Sequence, residues 1–225
     1  LEGCPKDGVA KFEIVNLKHM KTITNFWNHF QKNNFIFLFI LEITHEEVQI
    51  NFNKVTSLLH DYDKNLDIII KTKENKGELI ITANGNKEAY ENAFEIVRHA
   101  PKIERWKITA LLKPTLNIEK YESGNDNPFR FFGMELKISE MYFTPIKWNH
   151  KKRKITIIIW IKNYLAYKNI PELKQSIYII IEHLLGEDLA INNIQKFKIK
   201  QLKTNSNQLI ELYHLKDYIT YIQDE

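Results

Sequence analysis

Apolar positions along this chain follow two rhythms, one of three and four residues and one of two. Ile23, Phe26, Trp27 and Phe30 recur at helical spacing, which places them on one face of a helix over about residues 22–33. Thr44 and Glu47 form a T-x-x-E capping box, a pattern in which side chains satisfy free backbone amides at a helix start. Val48, Phe52, Val55, Leu59 and Tyr62 follow in steps of four and three. They predict a second helix over about 45–62.

The period changes at Leu66. Leu66–Thr72 and Glu78–Ala83 are β-rich runs flanking Glu74-Asn75-Lys76-Gly77, the composition of a hairpin turn. Asn84-Gly85-Asn86 then turns the chain into a helix with Tyr90, Ala93, Phe94 and Val97 on its inner face. His99 suits the negative end of that helix, Pro101 stops it, and Trp106–Leu112 reads as the next strand. Residues 115–130 include Glu122-Ser123-Gly124-Asn125-Asp126-Asn127-Pro128, offer little to bury, and read as a linker.

Beyond the linker the rhythm recurs. Glu140–Trp148 and Lys154–Ile161 predict a hairpin with residues 149–153 at its tip. Pro171 fits the first turn of a helix that buries Leu173, Ile177, Ile180, Ile181 and Leu184 and ends at Gly186. A strand from about Lys196 to Leu202 follows, then an amphipathic segment with Leu209, Leu212, Leu215 and Ile219. The expected fold is α+β, with antiparallel sheets and helices packed on one face. The order strand, strand, helix, strand occurs over about 65–113 and again over 140–202, without residue-level identity, and reads as a tandem duplication. The expected organisation is an N-terminal α+β half over 20–114, the linker over 115–130 and a C-terminal α+β half over 131–225.

Residues 1–19 stand apart as a leader, a tag or a fused peptide, because Met20 opens the first strongly patterned segment. Leu1-Glu2-Gly3-Cys4 has the outline of a lipoprotein box but lacks the charged and apolar regions that should precede one. Val9–Val15 alternates enough to predict a strand.

Composition narrows the function classes. Of 225 residues, 44% are hydrophobic and 27% charged, enough for a real core. The 7 glycines and 6 prolines favour long regular elements. The net charge of +4 comes from 32 basic and 28 acidic residues interspersed along the chain, the mark of an ordinary mixed surface rather than of a nucleic-acid binder. Cys4 is the single cysteine, so no internal disulfide and no Cys/His zinc spacing exist. No apolar run reaches the ~18 residues of a membrane helix; Phe35–Ile43 is too short and contains Glu42. A cytoplasmic protein without cofactor, metal or membrane segment is expected.

Candidate chemistry is sparse. His60, Asp61 and Asp63 form the densest polar cluster and could serve a metal or a general base, although helix ends collect such residues anyway. His45-Glu46-Glu47 lacks the second histidine of a zinc-protease motif, with Gln49 in its place. Glu187, beside Gly186, is conceivable as a catalytic carboxylate, but its plain reading is an exposed residue after a glycine turn. No nucleophile elbow, P-loop or dinucleotide fingerprint is present. Lys151, Lys152, Arg153 and Lys154 form the basic run, with Trp148 and Trp160 nearby, and could contact a phosphate backbone or an acidic protein. A hairpin tip also carries lysines simply to stay soluble. Phe26, Trp27, Phe30 and Trp106 are read as core.

Phe26-Trp27-Asn28-His29-Phe30 and Ala100-Pro101-Lys102-Ile103-Glu104-Arg105-Trp106-Lys107 resemble the recurring words of an uncharacterised bacterial protein family, an F-W-x-x-F helix and an A-P-x-x-x-x-W-K strand start. Ala83, Gly85, Ala89 and Leu185-Gly186-Glu187 also match it. His29 and Leu111-Leu112 depart from its pattern. The family has no established activity, so the resemblance implies a fold and transfers no catalytic residue. The expected function is a non-enzymatic protein-binding module, such as an immunity protein facing a toxin or a regulator of an enzyme. The alternatives are a nucleic-acid or nuclease-associated factor using residues 151–154, and an enzyme with a dispersed polar site.

Overall fold

The computed structural model describes residues 6–203 and 209–224; Cys4 and the Leu1-Glu2-Gly3 box lie outside the described residues. The chain divides into two compact units after Leu111.

The N-terminal unit runs α1 (Lys6–Asn33), α2 (Phe35–Leu38), α3 (His45–His60), β1 (Asp67–Lys73), β2 (Lys76–Thr82), α4 (Tyr90–Arg98) and β3 (Trp106–Ala110). The strand expected over Val9–Val15 is instead part of α1. Extending an existing helix adds one hydrogen bond per residue without a new nucleus, and a brief alternation of apolar residues does not outweigh that. Thr44 caps α3 by accepting the Glu47 amide at 3.2 Å. Phe26, Trp27, Phe30, Val55, Leu59, Leu79, Ile81 and Ile96 are buried in one core. The indole N–H of Trp27 donates to the Ile96 carbonyl at 2.9 Å, so α4 satisfies the one polar atom this large ring buries. Ala93 and Ile96 are the buried residues of α4, while Phe94 is exposed and leans on Tyr90.

Strands β1 and β2 pair antiparallel through Glu74-Asn75, both left-handed at φ 51° and 57°, the geometry of a two-residue hairpin turn. Strand β3 pairs parallel with β2, from Gly77↔Trp106 to Ile81↔Ala110. The sheet is therefore mixed, not antiparallel, because the crossover through α4 returns the chain in the direction of β2. Trp106 is half-buried rather than a fully buried core residue. Its ring fills the space left by Gly77, where a Cβ would come within 2.6 Å of it. Its N–H donates to Asn34 at 2.9 Å.

The C-terminal unit contains α5 (Ile118–Glu122), β4 (Phe129–Phe131), β5 (Met134–Leu136), β6 (Met141–Asn149), β7 (Lys154–Ile161), α6 (Tyr164–Tyr167), α7 (Leu173–Leu185), α8 (Glu187–Asn193), β8 (Ile194–Gln201), β9 (Ile210–Glu211) and α9 (Leu215–Asp224). The stretch read as a linker corrects that reading. It holds α5, whose Tyr121 is buried against Tyr213 with ring centroids 5.9 Å apart, and a buried Asp126. The main sheet has the order β8-β7-β6-β9, with β6 and β7 antiparallel and β7 and β8 parallel. Leu173, Ile177, Ile180, Ile181 and Leu184 of α7 join the buried face of β7 in the second core. Pro171 precedes the helix rather than lying in its first turn.

Replacing Trp27 by alanine removes a buried aromatic and one of the two hydrogen bonds that the Ile96 carbonyl accepts, the other coming from the His99 amide. The expected cost is ~3–5 kcal/mol, read as a lower denaturant midpoint at unchanged slope.

Candidate functional site

The outer face of the C-terminal sheet is set by strand parity. Along β7 the residues Ile155, Ile157, Ile159 and Ile161 are buried, and Thr156, Ile158 and Trp160 between them are half-buried on the opposite side. Strand β6 would lose step with β7 over its length without a correction. A bulge provides it: Pro145 pairs with Ile157 and Lys147 with Thr156, leaving Ile146 as the extra residue. Beyond the bulge Lys147 turns outward and Trp148 packs against the core.

Three cross-strand rows follow from this register. Lys196, Thr156 and Lys147 form the first, Lys198, Ile158 and Thr144 the second, and Lys200, Trp160, Tyr142 and Glu211 the third. Lys196, Lys198 and Lys200 are exposed along the edge strand β8. No described carboxylate forms an ion pair with them or with Lys147. Trp160 is held in place, donating to the Thr144 hydroxyl at 2.9 Å, and the Lys200 ammonium lies 5.6 Å from its ring centroid. A concavity of about 540 Å³ opens here, lined by Trp160, Tyr164, Lys198, Lys200 and Lys203. The result is a cationic strip on an aliphatic and aromatic floor.

The sequence-predicted residues are distributed differently. Lys151, Lys152 and Arg153 are exposed at the β6–β7 tip, but the Lys154 ammonium donates to the Ile191 carbonyl at 2.7 Å and is only half-exposed. Trp148 and Trp160, read as neighbours of that run, point to opposite faces of the sheet. The lysines of β8 are not among the sequence-predicted residues, although Lys196-Phe197-Lys198-Ile199-Lys200 carries a clear period of two, the signal that marks them.

The polar cluster at the end of α3 does not converge on one point. His60 bonds the Leu66 carbonyl at 3.1 Å and Asp61 is exposed. Asp63 accepts from the Asn65 backbone at 2.9 Å and from the Asn92 amide at 2.8 Å. These contacts tie the turn into β1 and to α4. Among the described residues no group of three or more His, Cys, Asp or Glu is placed to hold a metal ion.

Glu187 is buried, not exposed, and corrects the reading of a solvated turn. Its carboxylate accepts the Leu112 amide at 2.7 Å, and its own amide donates to the Leu112 carbonyl at 3.0 Å. Gly186, at φ 78°, permits this clasp; a Cβ there would approach Pro114 Cδ at 2.9 Å. Glu182, buried one helical turn earlier, has an Oε1 without a hydrogen-bond partner. Burial, and secondly the charge of Glu187, push its pKa up to about 8. The Tyr178 phenol is raised as well, by burial and by the same two carboxylates.

Compared with known families, curated proteins and solved structures, the chain matches none of them significantly. The site is therefore interpreted on its geometry. Among the described residues no helix is long and apolar enough to cross a membrane.

Glu182 makes the stability pH-dependent in a defined direction. Its folded pKa of about 8 lies above the ordinary 4.5, so the folded state holds a proton that the unfolded chain has released. The contribution of this group is full below about pH 4.5 and is lost as the pH rises toward about 8, with a limiting slope on the order of 1 kcal/mol per pH unit. Glu182→Gln is expected to remove that slope, making the variant progressively more stable than the parent between about pH 5 and pH 8 in denaturant titrations.

Proposed function

We propose that this chain is a non-enzymatic binding module that engages an acidic protein partner through the outer face of its C-terminal sheet. An immunity protein or an enzyme regulator is the class of protein this describes. The observation that carries the reading is the ladder of Lys196, Lys198 and Lys200 beside Ile158, Trp160 and Tyr142. Lysines on an edge strand discourage strand addition, which keeps the edge itself from being the binding element and leaves the face to do it. A partner with carboxylates spaced along β8 and an apolar centre over Ile158 would bury a standard patch of about 800 Å² on this side.

Nucleic acid fits this face less well. Trp160 is hydrogen-bonded to Thr144 and already has Lys200 over its ring, so a stacking base would have to displace an existing cation–π contact. Glu211 closes the third row with a negative charge. The bidentate arginines typical of phosphate and base recognition are missing from the three rows.

The recurrence of pairing order supports a tandem duplication as the origin of the two units. In each, an antiparallel hairpin is followed by a helix and a third strand parallel to the second. Membership of the family with the F-W-x-x-F helix, and residence in the cytoplasm, belong to the same proposal.

A photo-crosslinker at Lys198 in native cells would capture the partner, and the purified pair would then be titrated. Charge reversal of Lys196, Lys198 and Lys200 to glutamate is expected to weaken that complex by about 100-fold or more, since desolvated charge pairs cost several kcal/mol when reversed. Duplex DNA, duplex RNA and single strands would be titrated in parallel. Submicromolar binding to one of them, lost in the same variant, would overturn the choice of partner.

A further inference from the structure

We propose that a second copy of this chain docks on the lysine face of the C-terminal unit through its turn between α2 and α3. The chain then associates head to tail, and an acidic partner competes with that association. The inference rests on the reading of the lysine face as a protein-binding surface.

The turn carries side chains that its backbone does not require. The Glu42 amide donates to the Phe39 carbonyl at 2.8 Å, which puts Ile40 and Leu41 at the two central positions. Glycine, proline, asparagine and aspartate are the usual residues there, each for a conformational reason. Ile40 and Leu41 supply none of those reasons and gain little burial, since Leu41 is 97% and Ile40 43% exposed. Ile50, on the outside of α3, is 60% exposed. Single exposed apolar residues are ordinary, whereas grouped ones mark contact surfaces.

Charge completes the patch. From Phe35 to Asn53 the charged side chains are Glu42, Glu46 and Glu47, with His45 the one further titratable group. All three carboxylates are exposed, and none forms an ion pair with a described cation. Glu42 follows Leu41 directly. Glu46 and Glu47 precede Ile50 by four and three residues on α3, the spacing of neighbours on a helix surface. The turn is therefore acidic around an apolar centre. The lysine face is the inverse, with Lys196, Lys198 and Lys200 beside Ile158 and Trp160. Glu211 and Lys147, the other charges of its three rows, stand on β9 and β6 rather than on the β8 edge.

The lengths agree as well. Lys196 to Lys200 covers ~13 Å of strand, and Glu42 and Glu46, four residues apart, have backbones no more than ~14 Å apart. Because the two patches differ, the contact is heterologous, and each copy keeps one patch of each kind for the next. The overall charge of +4 opposes association, so the contact depends on this local segregation of charge. An interface smaller than the standard size is weak, which is what a displaceable cover over Ile158 and Trp160 requires.

Sedimentation of the full chain tests the proposal. The weight-average mass is expected to rise with concentration between about 10 µM and 1 mM at low salt. It should fall back toward the monomer at about 1 M salt, where the screening length is ~3 Å. Leu41→Ser combined with Glu42→Lys should weaken the association at least about tenfold, and so should reversal of Lys196, Lys198 and Lys200 to glutamate. The turn variant changes only exposed side chains, so an unaltered melting midpoint separates lost contact from lost folding. Reversing Glu42, Glu46 and Glu47 to lysine should also abolish self-association, and mixing that variant with the lysine-reversed one should restore it. A chain that stays monomeric throughout, association that survives in the turn or the lysine variant, or folded charge-reversed variants that do not associate on mixing would overturn the proposal. A monomeric chain whose captured acidic partner still binds, and is lost on lysine reversal, would sink this inference alone and leave the reading of the face standing.

Discussion

One extra residue in β6 governs what the C-terminal sheet can present. Side chains in a strand alternate with a period of two, so a single-residue offset exchanges the two faces. At Ile146 the ladder skips, and from there Trp148 points inward and Lys147 outward. Without the skip, the indole of Trp148 would face solvent and the Lys147 ammonium would face the second core. Burying that ammonium unpaired would cost several kcal/mol. The bulge therefore maintains the core and completes the lysine row in one step.

The same parity explains how much was legible in the sequence. Strand β7 was plain because Ile155, Ile157, Ile159 and Ile161 are all apolar and sit between turn residues. Helix α7 was equally plain, since Leu173, Ile177, Ile180, Ile181 and Leu184 repeat at helical spacing. Pairing partners were not legible. A strand following a hairpin and a helix can join the sheet in either direction, and only the three-dimensional crossover made β3 and β8 parallel to their neighbours. The bulge left one mark, Pro145, since proline within a sheet is confined to edges, strand starts and bulges, but that mark does not say which residue is unpaired.

Burial of polar groups was the other blind spot. Glu187 looks like a surface residue after a glycine, and nothing local signals that its carboxylate meets a backbone amide from residue 112. Tyr121 and Asp126 lie in a stretch rich in turn formers, yet both are buried because α5 folds onto the second core. Composition predicts average exposure, whereas a buried polar atom depends on a specific long-range partner. His60, Asp61 and Asp63 illustrate the converse. They cluster in sequence, but the backbone turns between them and sends each toward a different neighbour.

Buried Glu182 and Glu187 show how such groups are accommodated. Two carboxylates in one low-dielectric region cannot both ionise cheaply. The Glu187 carboxylate accepts the Leu112 amide, and Glu182, with an unpartnered Oε1, has its pKa raised by burial and by the charge of Glu187. An acid and a carboxylate side by side are also the raw material of general acid–base catalysis. What separates the two cases is access. Both residues are buried, and Gly186 brings Glu187 against the backbone of Leu112 so closely that a methyl group would already collide with Pro114. Glu187 spends its carboxylate on the Leu112 amide and so helps to hold the chain, while the recognition proposed above falls to the lysines on the outer face of the sheet.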